Sequence, residues 1–366
     1  MIRGLSIGVA GLGYWGPNLA RNFSQLHDCR LGALCDLDSE RLEKICPLHP
    51  GVAQFSSFHS MLEGADLDAI VVATPVSSHF SLAKAALLAG KHVLVEKPFA
   101  SSVAECEILI ELAESRGLTL MVGHTFLYSE PIQMIKRIVD SEDLGEIRYV
   151  NSQRLNLGLF QKDINVVWDL APHDISIILH LLGRTPDFVN CQGNAHITPG
   201  IEDVSNLSLS FSSGQFATVQ SSWLEPRKVR QMTIVGTRKM IVYDDIEPME
   251  KIRIYDTRID RPPHYNNFGE FHYAYHYGDS FVPYIKQAEP LRQMCQHFID
   301  SILSGLPPLS CGKCGLEVLR ILEASSKSLT ANGAAVTVHS PYLAAKSGIQ
   351  DDAEDYINGS YAKNIS

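Results

Sequence analysis

The sequence predicts an α/β protein, with a doubly wound parallel sheet in its N-terminal third and an α+β domain on a largely antiparallel sheet behind it. Three observations carry that expectation. From Leu5 to about Gly123 short apolar runs alternate with helical segments, beyond Gly145 longer alternating runs succeed one another, and the first apolar run ends in a glycine-rich turn that opens a helix.

The first-domain strands are expected at Leu5 to Ala10, Leu31 to Cys35, Ala69 to Ala73, His92 to Glu96 and Leu120 to Gly123. Their unbroken hydrophobicity, as in Ala-Ile-Val-Val-Ala at 69–73, suits strands covered by helices on both faces. Helical periodicity falls at Ser78 to Ala89 and Ser102 to Arg116, where Gly90 and Gly117 stand at C-cap positions. A helix over Glu130 to Asp140 leads to the second domain. Its strands are expected at Ile147 to Leu155, Val204 to Phe211, Phe216 to Trp223, Val229 to Val235 and Met240 to Tyr243, and the turns Ser213-Gly214 and Gly236-Thr237 imply antiparallel pairing. Helices over Val166 to Leu182, Pro290 to Ser304 and Gly312 to Thr330 complete it. The expected boundaries are 1–124, 125–340 and a tail, 341–366, whose polar end from Asp351 is either disordered or laid over a neighbour.

A chain of 366 residues is long enough for two cores. With 45% apolar and 20% charged residues it has the balance of a folded protein rather than a disordered one. Lys and Arg number 31 against 41 Asp and Glu, and the formal charge of -10 repels a phosphate backbone, so nucleic acid is not an expected partner. No run of about 18 apolar residues appears, and Met1-Ile2-Arg3-Gly4 runs into a strand without a signal-peptide pattern. No membrane and a cytoplasmic location are therefore expected. Cys35, Cys106 and Cys191 lie in apolar runs and read as reduced core thiols. The close pair in Cys311-Gly312-Lys313-Cys314 cannot supply the ligands of a zinc site, so it reads as a turn before a helix, and no metal is expected. An aromatic-rich stretch holding His264, His272 and His276 with Tyr265, Phe268, Phe271, Tyr273, Tyr275 and Tyr277 reads as a loop that touches a second subunit or covers substrate.

Three groups of residues point to chemistry. Gly11-Leu12-Gly13-Tyr14-Trp15-Gly16 follows the first strand and opens a helix near Pro17, the G-x-G-x-x-G arrangement in its required context. Gly11 permits the turn, Gly13 lets backbone approach a pyrophosphate, Gly16 lets helix and strand pack, and the helix N-terminus favours an anion. Asp36, at the end of the next strand, is placed to accept hydrogen bonds from the adenosine ribose, which points to NAD; Asp38 adds charge against the extra phosphate of NADP. Second, Glu96-Lys97-Pro98 closes a strand at the sheet edge where open α/β sheets bind ligands, and a lysine beside an oxidised nicotinamide has its pKa lowered towards neutrality. Third, Trp168-Asp169-Leu170-Ala171-Pro172-His173-Asp174 sets Asp169 and His173 four apart on one helical face. Pro172 fits a first turn there, which puts Asp169 near the cap. An imidazole suits removal of a hydroxyl proton, and a carboxylate beside it can fix its tautomer.

With these motifs the chain resembles the Gfo/Idh/MocA oxidoreductases over residues 5 to about 332. The resemblance implies a Rossmann domain, and a second domain whose open sheet packs against another subunit in a homo-oligomer, a dimer or tetramer. It makes Lys97 the catalytic lysine, Asp169 a substrate-contacting aspartate, and His173 the histidine of inositol-dehydrogenase-like members, where several ketosugar reductases have tyrosine. The stretches 11–18, 168–174 and Ser222 to Arg230 resemble members that act in surface-polysaccharide and lipid A sugar biosynthesis. The expected reaction is NAD-dependent oxidation of a nucleotide sugar to a ketone, foremost UDP-N-acetylglucosamine at C3. A free cyclitol or sugar dehydrogenase, a sugar 3-ketoreductase and a non-catalytic NAD-binding regulator are the alternatives. His173 is assigned as base, Lys97 as stabiliser of the alkoxide and Asp169 as orienter, with an exchange of roles between Lys97 and His173 left open. The candidate cofactor set is Gly11, Gly13, Tyr14, Trp15, Gly16, Asp36, Thr74, Pro75, His79, Glu96 and Lys97. The candidate substrate set is Lys97, Arg154, Asp169, His173 and the cationic cluster Arg227, Lys228 and Arg230, which suits a diphosphate.

Overall fold

Residues 4–158, 160–161, 164–260 and 274–338 are described by the structure, a computed structural model. In chain order the first part comprises β1 (Leu5–Ala10), α1 (Gly16–Gln25), β2 (Cys29–Cys35), α2 (Ser39–Ile45), β3 (Ala53–Phe55), α3 (Phe58–Gly64), β4 (Ala69–Val72), α4 (Val76–Leu88), β5 (His92–Val95), α5 (Val103–Ser115) and β6 (Leu120–Val122). The second comprises α6 (Glu130–Asp140), β7 (Ile147–Leu157), α7 (Val166–Leu182), β8 (Phe188–Asn194), β9 (Val204–Ser210), β10 (Phe216–Ser222), β11 (Leu224–Gly236), β12 (Met240–Asp244), β13 (Ile252–Asp260), β14 (Ala274–Phe281), α8 (Pro290–Ser304), α9 (Gly312–Thr330) and β15 (Val336–Thr337).

The first sheet is parallel, in the order β3-β2-β1-β4-β5-β6. The order reverses between β1 and β4, and a doubly wound sheet opens a ligand crevice at the carboxyl ends of its strands there. All four residues of β4 are buried, as expected for a central strand with both faces covered. Ser57 and Ser102 cap α3 and α5 through their side chains, whereas α1 has no side-chain cap and carries Pro17 in its first turn, so N–H groups at its start stay free for a ligand.

The second sheet has nine strands in the order β14-β13-β12-β11-β7-β10-β9-β8-β15. Its pairs are antiparallel with one exception: β10 runs parallel to β7, because α7, β8 and β9 intervene between them. One face packs under α7 and α9 through Val150, Cys191, Leu207, Val219 and Ile234; on the other, Gln153 pairs with Gln220 at 3.0 Å and Tyr149 and Phe216 stay exposed. β8, β13 and β14 are strands that hydrophobic alternation did not disclose. Tyr275, His276 and Tyr277 belong to β14 rather than to a loop, with His276 Nε2 2.9 Å from Asp256; His264, Tyr265, Phe268, Phe271, His272 and Tyr273 lie outside the described residues, as does the tail from 339.

The two sheets share one continuous core. α8 returns to the first sheet, where Phe298 meets Phe23 of α1 edge-on at 6.5 Å and Glu289 accepts from Asn22 at 3.1 Å. α9 touches both halves: Arg320 reaches Glu107 of α5 at 2.8 Å, Ser326 accepts from the Trp168 indole at 2.8 Å, and Ser328 accepts from the Cys191 N–H of β8 at 2.8 Å.

Candidate active site

The carboxyl ends of β1, β2, β4, β5 and β6 lie along one edge of the first sheet and carry the candidate dinucleotide site. Gly11 leaves β1 with φ 92°, and a Cβ there would stand 2.5 Å from the Ala73 carbonyl oxygen. At Gly16 a Cβ would strike the Gly11 oxygen at 1.9 Å, while at Gly13 it would meet only Arg41 at 3.7 Å, so backbone is bare where a pyrophosphate would approach. Asp36 is buried. Its carboxylate accepts from the N–H of Leu12 at 2.6 Å and of Asp38 at 2.9 Å, which ties the glycine turn to the end of β2. Arg41 stands 3.6 Å from Asp36 and 3.4 Å from Asp38. Tyr14 and Trp15 are exposed on the lip of the turn, edge to face at 5.1 Å.

Thr74 and Pro75 follow β4. His79 does not open to a ligand: its ring lies between the carbonyls of Pro98 and Thr74, each at 2.8 Å, so it braces the β4 and β5 ends against each other. Burial holds its pKa below the ordinary value. Glu96 is buried, with one carboxylate oxygen unpartnered among the described residues, and Gly123 admits its carboxyl where a Cβ would stand 3.0 Å away. Burial raises its pKa to about 7, against the opposing Lys97 charge. The bare glycine turn, the uncapped α1, the Asp36 carboxylate and this orphaned Glu96 oxygen together fit a dinucleotide.

Lys97 follows β5, at a cis bond to Pro98. Its Nζ donates to the Asp169 backbone oxygen at 2.9 Å and lies 3.6 Å from that residue's carboxylate. The other Asp169 carboxylate oxygen accepts from the buried Trp223 indole at 3.1 Å. Asp169 thus holds Lys97, and not His173 as its spacing suggested. α7 begins at Val166 with Asn165 as its cap, so Asp169 sits in the first turn and Pro172 inside the helix rather than in its first turn. Pro172 has no N–H for the Trp168 carbonyl, so that carbonyl lacks its helical donor in the turn where Lys97 donates to the Asp169 oxygen.

One turn further on, His173 packs edge-on against Phe126 at 4.9 Å, its buried Nδ1 without a hydrogen-bond partner among the described residues. Burial first, then the charges of Lys97 and Arg154, hold its pKa well below the ordinary value, so the imidazole is neutral at neutral pH. Lys97 is lowered too, by burial, against the attraction of Asp169. Arg154, expected at the substrate, is instead buried in a bidentate pair with Asp174 at 2.6 and 3.2 Å, its guanidinium 4.6 Å from the Phe126 ring centre. Arg230 pairs with Asp245 at 3.3 Å and lies 6.0 Å from the same ring; Arg227 and Lys228 are exposed in the bulge between Leu224 and Val229. The cluster is thus divided, with Arg230 turned to the site.

His124, Phe126 and Trp223 join the site without having been singled out for it. His124 is buried at the end of β6, both ring nitrogens without a hydrogen-bond partner among the described residues, and burial beside Lys97 pushes its pKa down to about 4. Its place at a carboxyl end of the sheet was a usable signal. Phe126 and Trp223 carried none, since their part is to stack on and orient neighbours.

This is the site of a dinucleotide-dependent oxidoreductase. Residues 5–124 match the oxidoreductase family with an NAD-binding Rossmann fold, and residues 132–242 match the GFO/IDH/MocA C-terminal domain; the chain belongs to the Gfo/Idh/MocA family and its cofactor is NAD. It is 30% identical over 230 residues to UDP-N-acetylglucosamine 3-dehydrogenase of Acidithiobacillus ferrooxidans, covering 62% of this chain and 70% of the relative. It is 28% identical over 270 residues to 2,7-anhydro-N-acetylneuraminate hydratase of Escherichia coli, covering 68% and 70% respectively. A solved structure of the Acidithiobacillus ferrooxidans dehydrogenase matches with a TM-score of 0.74 at 26% identity, over 91% of this chain and 99% of that one. Among the described residues no helix is long and apolar enough to cross a membrane, and no metal-binding cluster forms.

Proposed function

We propose that the protein oxidises a secondary hydroxyl of a nucleotide sugar to a ketone, with UDP-N-acetylglucosamine, at C3, as the foremost substrate. One observation carries this reading: Lys97, held by Asp169, and the neutral His173 one turn along the same helix meet at the carboxyl edge of the dinucleotide-binding sheet. The relative acting on UDP-N-acetylglucosamine supports the substrate class. Gly13 and the free N–H groups of α1 would hold the pyrophosphate on the turn that Gly11 and Gly16 permit, Asp36 would hold the ribose, and Glu96 with Lys97 the nicotinamide end.

Bound NAD supplies the hydride acceptor. Lys97 donates a hydrogen bond to the substrate oxygen and stabilises negative charge as it develops there, while Asp169 fixes the direction of Nζ. His173 accepts the hydroxyl proton at a ring nitrogen. Burial first, then the charges of Lys97 and Arg154, disfavour the imidazolium, which gives its proton up to solvent, as suits a base that must reset each turnover. The buried Trp223 indole holds the other Asp169 carboxylate oxygen and so steadies the group that directs Lys97. The open face of the second sheet, with Tyr149 and Phe216 exposed, supports a homo-oligomer, and eight free thiols suit the reducing cytoplasm.

The test is the purified protein with NAD, offered UDP-N-acetylglucosamine, other UDP-sugars and free polyols, with absorbance of NADH as readout. NADH from the UDP-sugars alone is the expected result; NADH from free polyols alone overturns the nucleotide-sugar assignment.

A further inference from the structure

Of the eight free cysteines six are buried, whereas Cys311 is half-buried and Cys314 exposed, their sulfurs 3.0 Å apart across the first turn of α9. Cys311 is the cap residue of that helix, and the Cys314 thiol also lies 3.5 Å from the Leu309 carbonyl oxygen. Free N–H groups at the start of a helix favour negative charge, and Lys313, itself paired with Glu114 at 2.5 Å, adds a smaller contribution. The Cys311 thiol is pushed down to about 7, chiefly by the hydrogen bond from Cys314, while Cys314 is raised well above its usual value. At neutral pH one sulfur is therefore a nucleophile and the other holds its proton. Among the described residues no third His, Cys, Asp or Glu joins the pair into a metal-binding cluster. The chemistry left to two touching, solvent-reachable sulfurs is exchange with a disulfide.

We propose that Cys311 and Cys314 form a reversible dithiol–disulfide site that exchanges with small disulfides of the glutathione class. The Cys311 thiolate attacks one sulfur of oxidised glutathione; the S–S bond breaks and one glutathione leaves as a thiolate, taking up the proton Cys311 gave to solvent. Cys314 then loses its proton and attacks the Cys311 sulfur of the mixed disulfide, expelling the second glutathione. Two protein thiols and one disulfide become one protein disulfide and two glutathione thiols, with both electrons passing to glutathione. The sulfurs need close only from 3.0 Å to the bond length of about 2.05 Å, within one helical turn.

The experiment uses the full chain, reduced, incubated at pH 7 with oxidised glutathione, acid-quenched and alkylated with a maleimide. Free thiols should fall from eight to six, and tryptic peptides from either side of Lys313 should remain joined until reduced. In Cys314→Ser the mixed disulfide should persist as one added glutathione, since the resolving thiol is gone. In Cys311→Ser the rate of modification should fall at least about 10-fold, as expected when the thiolate is lost. Thermal melts of both serine variants establish that they fold. Eight thiols remaining in the wild type overturns the proposal, and so does loss of two thiols in the double variant Cys311→Ser/Cys314→Ser.

Discussion

At the scale of single residues, burial tunes Lys97 and His173 more than any pairing does. Lys97→Ala and His173→Ala should each lower turnover about 10²-fold; in His173→Ala, which leaves the cofactor set intact, NAD affinity followed by titration of intrinsic fluorescence should be nearly unchanged. Because burial lowers the Lys97 pKa, its proton leaves at lower pH than from an ordinary lysine, and kcat/KM should fall on the alkaline side as the donor is lost. Lys97→Arg stays charged and should flatten that limb; a limb that persists belongs to another group. Asp36→Ala should weaken NAD and narrow the gap to NADP, since it removes the ribose acceptor and frees Arg41, 3.6 Å away, for a 2′-phosphate. A wild-type preference for NADP in direct titration would refute the role given to Asp36. That Lys97, Asp169 and His173 come together in the fold was legible because each sits in a short motif with a place on a strand end or helix. The partner of Asp169 was not, because helical spacing shows which residues share a face and not which side chain from another element arrives there first.

At the scale of elements, α6, α8 and α9 have the bounds the sequence suggested, and α6 and α8 each carry a proline at the start, where the missing N–H costs nothing. β8 escaped notice because Gln192, Gly193 and Asn194 break its alternation, and β14 because nearly every residue of it is exposed. The parallel β7–β10 pair escaped for another reason: strand direction depends on what lies between two strands, and α7 with two strands returns the chain to the same end. The bulge in β11 separates the roles of its cations. Arg227→Ala and Lys228→Ala should raise KM for a UDP-sugar by up to about 10-fold with turnover unchanged, as expected for lost charge-assisted bonds remote from the reacting carbon. Arg230→Ala should lower turnover as well, because it removes the guanidinium that shares Asp245 with Tyr243 and Lys251 and alters the cover over Phe126 and His173. Wild-type kinetics in all three variants would return the cluster to the role of a solvated face.

For the whole molecule, the buried histidines set the acid side of stability. His124 and His180 are pushed down to about 4, and His79 and His173 are lowered too, so between pH 6.5 and 4 the unfolded chain binds protons that the fold excludes. Stability from these groups is full above 6.5 and lost as pH falls through that window; His124 alone accounts for about 3 kcal/mol. Glu96 acts in the opposite sense, because its raised pKa lets the fold bind an extra proton between 4.5 and about 7, so its contribution weakens as pH rises. Urea denaturation of the cofactor-free protein should show a loss of several kcal/mol from pH 7 to 4.5, smaller in His124→Phe and larger in Glu96→Gln. A profile flat across that interval would contradict the assignment of these groups as neutral in the fold.

The placement of α9 has a consequence for how the protein is made. β6 receives its last backbone partner from Ser310, whose carbonyl accepts from Val122 at 2.8 Å, and Gly312 and Gly315 cover Leu120 and Val122. A ribosome therefore releases the whole nicotinamide-binding sheet long before the helix that seals its edge. Until then the sides of Ile110, Leu120, Val122 and Phe99 that Gly312 and Gly315 pack on stay in water, and β6 offers an open edge to any other strand. Nascent chains stalled between residues 130 and 300 are where chaperone capture and misassociation should concentrate, and both should cease once Thr330 has cleared the exit tunnel.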